Sequence, residues 1–370
     1  MRVETLRTLG FRNLAPAEVR LSDRVTLLHG ANGAGKTNLL EALYAALAGR
    51  SCRTRSERET IAFAEPLARA EAVVADHDER REFLYAVDRS AGKRHLLNGN
   101  AVTAAGSFMR PALAVFMPDR LTLVKGPPAA RRSHLDGFIA ALRPARAGAR
   151  ARYARALAQR NALLGRIRSG APGSASLDAW DAELAGAGIE LMEARADAVD
   201  VLAPAFAEAA ADLGLGQDAA IAYRPRSQGT TAEELAAELG ERRESDLARG
   251  FSGHGPHLDE LRISIARRPA RRYASQGQQR TALLALLFAE RDALLADSLT
   301  PPLMLLDDVT SELDPSRRGL LCERLLAGDG QALITATEAG HLPRACPRLE
   351  LAVREGAVFS TAETDRADAA

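Results

Sequence analysis

The sequence predicts an α/β domain assembled from both ends of the chain, with a helical lobe inserted between them. Both ends alternate short apolar runs with turns, which indicates buried strands. The middle has Leu at helical spacing, as at Leu184 and Leu191. We therefore place the N-terminal part of the domain at residues 1–118, the helical lobe at 119–249 and the C-terminal part at 250–370.

Each end of the chain contributes its own elements to this domain. The predicted strands of the N-terminal part lie at 25–28, 70–75 and 82–87. Those of the C-terminal part lie at 261–265, 303–306, 332–335 and 349–353. Asn98-Gly99 predicts a hairpin turn, and residues 276–296 predict a long helix.

The charges balance overall but are unevenly distributed. The 370 residues have a formal net charge of +1, with 46 Arg against three Lys. Residues 131–168, which we call the basic segment, carry a net charge of +9, and residues 178–246 carry −11. The basic segment can therefore bind a polyanion. The alternative is a solvated helix face in a chain that uses Arg almost everywhere.

The composition excludes several classes of protein. With 46% hydrophobic and 26% charged residues, the chain can bury a large core and is not a disordered protein. No apolar run is long enough for a transmembrane helix, and the N-terminus does not resemble a signal peptide. Cys52, Cys322 and Cys346 form no CxxC pair, which favours the reducing cytoplasm and argues against structural zinc.

The strongest motif is a phosphate-binding loop. It fits the pattern G-x-x-x-x-G-K-[ST] with the residues Gly30, Ala31, Asn32, Gly33, Ala34, Gly35, Lys36 and Thr37. A buried strand precedes the loop and an apolar helix follows it, so backbone N–H groups can surround phosphate oxygens. In this pattern Lys36 reaches the β- and γ-phosphates of a nucleotide, and the Thr37 hydroxyl binds Mg²⁺.

A matching acidic pair follows the apolar strand at 303–306. Carboxylates at the C-terminal end of a buried parallel strand meet phosphates at the edge of the sheet. We expect Asp307 to hold Mg²⁺ and Asp308 to orient or deprotonate the attacking water. An apolar strand that ends in two Asp is unspecific by itself, so this prediction depends on the phosphate-binding loop.

A third segment indicates the class of nucleotide-binding protein. Ser275-Gln276-Gly277-Gln278-Gln279-Arg280, which we call the signature segment, precedes the long predicted helix. Ser275 lies where a helix N-cap is expected, and Gly277 allows close backbone approach to a ligand. The segment lies before the acidic strand, as the signature motif of ABC-type ATPases does. Ser311-Glu312-Leu313-Asp314 resembles their D-loop.

Together these motifs resemble the RecF family of bacterial recombination mediators, which have an SMC-like, ABC-type ATPase head. The resemblance extends along the whole chain. Further matching stretches are Phe11-Arg12-Asn13, Leu123-Val124-Lys125-Gly126-Pro127, Arg131-Arg132, Leu135-Asp136 and Gly255-Pro256-His257. The resemblance implies ATP and Mg²⁺ as cofactors, Lys36 and Asp308 as catalytic residues, and Arg12 as a further ATP contact.

The chain departs from the family pattern at two places. Leu258-Asp259-Glu260 stands where the family usually has Arg-Asp-Asp, which puts the contact of the missing Arg in question. Many ABC ATPases carry a switch His after the strand predicted at 332–335, whereas this chain offers Ala336 and Thr337.

The resemblance also implies a homodimer when ATP is bound. In ABC-type ATPases the signature of one subunit contacts the γ-phosphate held by the other. The chain has one copy of each motif, so two copies facing head to tail complete two sites. The residues expected to make this contact are Ser275, Gln276, Gly277 and Gln278.

The partners implied by the family are double-stranded and gapped DNA, RecR and RecO. The expected activity is a weak, DNA-stimulated ATPase that acts as a switch and helps to load recombinase on single strands. The inserted lobe is short and lacks the long heptads of SMC coiled coils. Few aromatic residues are available for base stacking, which favours contacts with the duplex backbone. The candidate DNA contacts are Arg131, Arg132, Arg143, Arg146, Arg150, Arg152 and Arg155.

Two other functions are compatible with these motifs. An ABC transporter ATPase subunit needs no membrane segment of its own, although the signature segment and the basic segment count against it. A non-hydrolysing scaffold would bind nucleotide only to fold or to dimerise. Stimulation of ATP hydrolysis by duplex DNA would distinguish the expected switch from a transporter subunit. Release of phosphate from ATP would distinguish it from a non-hydrolysing scaffold.

Overall fold

The chain is described by a computed structural model. The described residues are 1–76, 79–102, 109–110, 112–173, 176–216, 218–297, 301–311, 313–328 and 330–360. The polar tail after about Thr361, predicted from the sequence to fray, and Glu312 of the D-loop-like motif lie outside them. Within the described residues, no helix is both long and apolar enough to cross a bilayer.

The chain divides into two compact units. Unit 1 comprises Met1–Asp119, Asp212–Gly214 and the chain from Leu294 onward. Unit 2 comprises Arg120–Ala211 and Leu215–Ala293. Residues 250–293, assigned from the sequence to the α/β domain, thus group with the helical lobe.

The described residues form fifteen strands, most of which belong to the two sheets of unit 1. The strands, in chain order, are β1 (Arg2–Leu9), β2 (Ala17–Arg20), β3 (Val25–His29), β4 (Leu67–Asp76), β5 (Glu79–Asp88), β6 (Gly92–Leu97), β7 (Asn100–Ala101), β8 (Leu113–Phe116), β9 (Ala220–Arg224), β10 (Glu260–Ile265), β11 (Arg268–Pro269), β12 (Leu303–Leu306), β13 (Ala332–Ala336), β14 (Leu349–Arg354) and β15 (Ala357–Ser360). All strands except β9, β10 and β11 belong to unit 1.

The first sheet of unit 1 positions the nucleotide loop. Its order is β15-β14-β3-β13-β12-β8 in the described residues, and all neighbours except β14 and β15 are parallel. The strands β3, β12 and β13 are almost fully buried, as expected for parallel strands covered on both faces. The carboxyl ends of these three neighbouring strands therefore lie together at one edge.

The second sheet of unit 1 is antiparallel, with the order β2-β1-β4-β5-β6-β7 among the described strands. The predicted hairpin turn at Asn98-Gly99 joins β6 to β7, and both residues have positive φ, 49° and 80°. The helix α1 (Lys36–Ala48) contacts β4 and β5 of this sheet and β13 of the parallel sheet. Its side chains Leu39, Leu40 and Leu43 are fully buried in the shared core.

Unit 2 is mainly helical. The helices after α1 are α2 (Thr122–Lys125), α3 (Pro128–Leu142), α4 (Ala149–Arg168), α5 (Leu177–Asp212), α6 (Ala232–Glu241), α7 (Arg243–Arg249), α8 (Ala270–Tyr273), α9 (Gln276–Asp297) and α10 (Pro315–Ala327). Apart from the ends of α5 and α9, the helices α2 to α9 belong to unit 2, and α10 belongs to unit 1.

A small antiparallel sheet explains why residues 250–293 group with the helical lobe. Its order is β11-β10-β9 in the described chain, so β10 pairs with a strand of the insertion. The residue before β10, Asp259, is almost fully buried and accepts bonds from Arg195 and from the backbone N–H of Arg226. These long-range contacts attach the segment to unit 2.

Candidate functional site

The phosphate-binding loop joins β3 to α1. Gly30 has φ 150°, and a Cβ atom there would lie 2.2 Å from the carbonyl oxygen of Val353. Gly35, the N-cap of α1, has φ 115°. Ala31, Asn32 and Gly33 are exposed between these two glycines. The loop thus follows a path that only glycine permits at its ends, and it leaves its central residues open to a ligand.

The Lys36 side chain folds back over this loop. Its Nζ donates to the carbonyl oxygens of Gly30, at 2.6 Å, and of Ala31, at 2.8 Å. Burial lowers the pKa of the Lys36 ammonium, and the neighbouring carboxylates of Asp308 and Asp307 act in the opposite direction. The ammonium therefore lies between the loop and the acidic strand end, where it can bind phosphate oxygens.

The Asp307 carboxylate accepts two hydroxyl hydrogen bonds. Thr37 Oγ1 and Thr335 Oγ1 each donate to Asp307 Oδ1 at 2.8 Å. The backbone N–H of Asp307 donates to the carbonyl of Phe116 on β8, which fixes the residue at the strand end. Burial raises the pKa of Asp307, while the two hydroxyls lower it. The predicted metal ligands Thr37 and Asp307 are thus in direct contact.

Asp308 has a strained backbone. Its φ is 49°, in the left-handed region that non-glycine residues rarely adopt, and its N–H donates to Thr335 Oγ1 at 2.9 Å. The Oδ1 atom is buried and has no hydrogen-bond partner among the described residues. Strain of this kind is common where the surrounding structure fixes a functional side chain. A buried acceptor of this kind can receive a hydrogen bond from a water molecule.

Arg12 and Asn13 lie beside the loop. Arg12 Nε and Nη2 donate to Glu41 of α1 at 3.1 and 2.9 Å, and Glu41 is fully buried. Asn13 Nδ2 donates to the carbonyl of Gly33 at 3.0 Å. Arg53 also donates to Glu41 and lowers the pKa of Asp307 through its charge. Arg12 thus has its guanidinium fixed on α1, and its predicted contact with ATP stays a prediction.

The signature segment lies in unit 2 and begins α9. Ser275 Oγ accepts from the backbone N–H of Gln278, and Gln278 Oε1 accepts from the backbone N–H of Ser275. These reciprocal bonds form a capping box, so the predicted N-cap role of Ser275 is confirmed. Ser275 and Gln276 are exposed, and Gly277 and Gln278 are half-buried. The start of this helix is therefore accessible to a partner.

Comparison with known proteins identifies the family. Residues 2–358 match the family model described as the RecF/RecN/SMC N terminal domain. The DNA replication and repair protein RecF of Anaeromyxobacter sp. (strain Fw109-5) is 39% identical over 97% of this chain and 99% of its own length. RecF of Deinococcus radiodurans is 37% identical over 91% of each chain. The chain belongs to the RecF family.

Solved structures agree with this assignment. The recombination mediator protein RecF-ATP of the RecFOR pathway is 26% identical, with a TM-score of 0.83 over 97% of each chain. The Smc head bound to the C-winged helix domain of ScpA has a TM-score of 0.60 at 16% identity and shows the fold alone. The predicted α/β head of ABC type is thereby confirmed. The solved RecF relative is in complex with ATP.

The two positions at which the chain departs from the RecF family pattern differ in solvent exposure. Leu258, where the family usually has Arg, is 43% exposed, so no buried contact is lost there. Asp259 and Glu260 both bind arginines of unit 2, Arg195 and Arg131. At the switch position Ala336 is fully buried in β13. Thr337 follows it, with its hydroxyl 3.4 Å from Nδ1 of His341.

Two of the predicted DNA contacts point into unit 2. Arg131 is 3% exposed, binds both oxygens of Glu260 and donates to the carbonyl of Gly126. Its burial does not support a DNA contact. Arg132 donates to the carbonyl of Asp259 and is half-buried.

Four other arginines of the basic segment form ion pairs, three of them with acids of the negatively charged block. These three are Arg146 with Asp197, Arg152 with Glu190 and the fully buried Arg160 with Asp181 and Asp246, while Arg150 pairs with Asp136 of the basic segment itself. Arg143 and Arg155 are exposed. Among the described residues, Arg155 and Arg166 have no ion pair. The negatively charged block thus neutralises part of the basic segment within unit 2.

Three residues near the site were absent from the sequence prediction. They are Thr335, Glu41 and Arg53. Thr335 donates to Asp307, and Glu41 accepts from both Arg12 and Arg53. The sequence contains one signal for Thr335, a polar residue near the end of an otherwise apolar strand. No local pattern distinguishes Glu41 or Arg53.

Proposed function

We propose that this chain is an ATP-dependent DNA-binding switch of recombinational repair and replication restart. ATP and Mg²⁺ drive a homodimer that clamps duplex DNA near gaps and helps to load recombinase on single strands. Slow hydrolysis, stimulated by DNA, resets the clamp. Family membership supports RecR and RecO as partners and the cytoplasm as the location.

The observation that carries this proposal is the convergence of four side chains in unit 1. Lys36 lies on the loop near both Asp307 and Asp308, and Thr37 donates to Asp307. In phosphoryl transfer the protein mainly positions groups and stabilises charge. Lys36 binds the β- and γ-phosphates, and the strained Asp308 orients or deprotonates the attacking water.

The residues of this site fit Mg²⁺. A hydroxyl and a carboxylate, from Thr37 and Asp307, are the oxygen ligands that Mg²⁺ takes beside nucleotide phosphates. Their oxygen atoms lie 2.8 Å apart, so both can bind one ion after a small displacement. Mg²⁺ would supply charge neutralisation at the β- and γ-phosphates. Among the described residues no cluster of three or more His, Cys, Asp or Glu forms a metal site, which agrees with a site completed by phosphates and water.

The dimer follows from the separation of the two motifs. The signature segment lies at the exposed start of α9 in unit 2, whereas the phosphate-binding loop lies in unit 1. We propose that Ser275, Gln276, Gly277 and Gln278 of one copy contact the γ-phosphate bound by the other. ATP then stabilises the dimer because it gains contacts from the second copy in addition to those that it makes in the monomer.

For DNA, the exposed members of the basic segment remain the proposed contacts. Arg143, Arg150, Arg152 and Arg155 are exposed, and Arg132 and Arg146 are half-buried. Exposed ion pairs such as Arg152–Glu190 are weak, so phosphate groups can compete for these guanidinium groups. Such contacts read the backbone and give little sequence preference.

DNA binding with and without ATP tests the proposal. Wild type and Lys36→Met are compared on duplex, gapped and single-stranded DNA in the presence of Mg²⁺. We expect ATP to strengthen duplex binding by wild type and to have no effect on Lys36→Met. Equal binding by both proteins with ATP would contradict the switch, and absence of phosphate release would contradict hydrolysis.

A further inference from the structure

A group of positive side chains in unit 2 lies outside the basic segment. Arg262 of β10 and Arg271 and Arg272 of α8 line one cavity of about 240 Å³. All three side chains are exposed. Within the described part of the chain, none of them has an ion pair or a hydrogen bond. This group therefore keeps its full positive charge.

The acid that borders the same cavity is already neutralised. Arg131 Nε and Nη2 donate to Glu260 Oε1 and Oε2 at 2.6 and 2.8 Å, a bidentate pair. Because Glu260 is occupied by the buried Arg131, it does not attract the three exposed guanidinium groups. Arg131 thus contributes to this surface by removing a competing charge.

A fourth positive charge lies on a neighbouring helix. α2 packs against α8 and ends at Lys125, which is exposed and has no ion pair in the described residues. Lys125 is one of only three Lys in the chain. We call Lys125, Arg262, Arg271 and Arg272 the β10–α8 surface.

We propose that the β10–α8 surface binds the phosphodiester backbone of duplex DNA. Guanidinium groups form two parallel hydrogen bonds with a phosphate, and three of them around one cavity fit a phosphate better than a single point charge. None of the described residues that line the cavity is aromatic, so the cavity offers no ring on which an unpaired base would stack. In contrast to Arg146, Arg150 and Arg152 of the basic segment, these arginines have no ion pair among the described residues that must be broken before they bind phosphate.

The β10–α8 surface is joined directly to the signature segment. α8 carries Arg271 and Arg272 and is followed by Ala274 and Ser275. The buried Gln279 of the signature segment donates through Nε2 to the carbonyl oxygens of Ala270, at 3.3 Å, and Ala274, at 3.1 Å. A displacement of α8 therefore changes the hydrogen bonds of a signature residue.

This connection gives the surface a regulatory role that rests on the ATP-driven dimer proposed above. Phosphate bound at Arg271 and Arg272 restricts the movement of α8. Because Gln279 is hydrogen-bonded to Ala270 and Ala274, the start of α9 is restricted as well. Gln279 is a positioning residue in this scheme, since it contacts neither phosphate nor DNA. DNA binding then favours the signature conformation that closes on ATP.

The first experiment removes the charges of the surface. Arg262→Gln/Arg271→Gln/Arg272→Gln is compared with wild type and with Arg20→Gln/Arg58→Gln/Arg94→Gln, which removes the same number of exposed positive charges from unit 1. Duplex DNA affinity is measured with ATP and Mg²⁺ over a range of salt concentrations. We expect the surface variant to lose at least about tenfold in affinity, and its plot of log K against log salt to flatten by about 0.9 per lost phosphate contact.

The outcomes separate this inference from the proposed function. If wild type fails to bind duplex DNA with ATP, the proposed function itself is contradicted. If wild type binds and the β10–α8 variant matches it in affinity and salt dependence, the inference alone is contradicted. The same holds if that variant keeps DNA binding but loses binding of polyglutamate, because the surface then recognises acidic protein. Unchanged ATP affinity and melting temperature show that the variants are folded.

A second experiment tests the connection through Gln279. Gln279→Met keeps the side-chain volume but removes the hydrogen bonds to Ala270 and Ala274. We expect this variant to bind DNA with wild-type affinity in the absence of ATP and to lose the effect of DNA on ATP-driven dimerisation, measured by sedimentation. DNA stimulation of the dimer at the wild-type level in Gln279→Met would overturn the coupling.

Discussion

Thr335 donates its hydroxyl hydrogen to Asp307 Oδ1 at 2.8 Å and accepts the backbone N–H of Asp308 at 2.9 Å. One hydroxyl on β13 thus orients the predicted metal ligand Asp307 and the predicted catalytic residue Asp308 together. The bond also determines how Asp307 responds to pH, because hydrogen bonds to the ionised form of a carboxyl group favour that form.

We expect Thr335→Val to shift the acidic limb of the pH–rate profile of ATP hydrolysis to higher pH. Burial raises the pKa of Asp307 and the Thr335 hydroxyl lowers it, so loss of the hydroxyl raises this pKa further. Mg²⁺ binds the carboxylate and not the protonated carboxyl group, so activity falls as pH decreases through this pKa. The measurement is kcat against pH at saturating ATP. Thr337→Val serves as control, and superimposable profiles for Thr335→Val and wild type would refute the assignment.

Asp308→Asn should reduce ATP hydrolysis by about 10²–10⁴-fold while ATP affinity stays unchanged. Asn has nearly the same shape and tolerates positive φ, so the strained backbone is retained and the melting temperature should match wild type. Single-turnover phosphate release measures the chemical step. Asp23→Asn, which removes an exposed acid paired with Arg2, is the matched control. Wild-type hydrolysis by Asp308→Asn would rule out its catalytic role.

Ser275→Arg should abolish the ATP-dependent dimer but leave ATP binding by the monomer intact. The larger side chain projects from the exposed start of α9, where the partner's γ-phosphate is proposed to bind. Ser275→Thr is the control, because its hydroxyl can still accept the Gln278 N–H and preserve the capping box. Sedimentation velocity with and without ATP and Mg²⁺ distinguishes the two. A dimer that persists in Ser275→Arg would exclude the signature contact.

The turn between β10 and β11 allows stability and DNA binding to be separated. Ala266 and Arg267 have φ of 49° and 61°, so both are in the left-handed conformation that Gly adopts without strain. Ala266→Gly and Arg267→Gly should each raise the free energy of unfolding by about 1 kcal/mol. Only Arg267→Gly removes a positive charge, from the turn that follows β10, so it alone should weaken DNA binding. Denaturant unfolding and salt titration measure the two effects, and equal DNA binding by both variants would remove Arg267 from the interaction.

The nucleotide site was largely predictable because its signals are local. Lys36 and Thr37 are fixed by the spacing of the loop, and Asp307 and Asp308 follow directly from an apolar strand. Thr335 was missed because its role arises from strand register. Leu306 pairs with Ile334 across β12 and β13, so the next residues, Asp307 and Thr335, lie side by side. A local pattern does not reveal which strand is the neighbour.

The interpretation of the basic segment was less complete for a similar reason. Counting charges gave +9, but the carboxylates that pair with these arginines lie far along the chain. Arg152 pairs with Glu190 on another helix, and Arg131 pairs with Glu260 across more than a hundred residues. Local composition measures charge and does not measure how much of that charge the fold neutralises. Part of the positive charge that has no ion pair in the described residues comes from α8 and β10, where the sequence count is modest.

The buried arginine of α4 constrains how this family member can diverge. Arg160 is fully buried and binds Asp181 of α5, Asp246 of α7 and the Ser252 hydroxyl. Loss of Arg160 alone would leave Asp181 and Asp246 with only the more exposed Arg243 and Arg249 as ion-pair partners, and we expect this loss to destabilise the fold. A substitution at any one of these positions is therefore expected to be destabilising unless the other two change with it. Across descendants of this gene, Arg160, Asp181 and Asp246 should be inherited or replaced as a set.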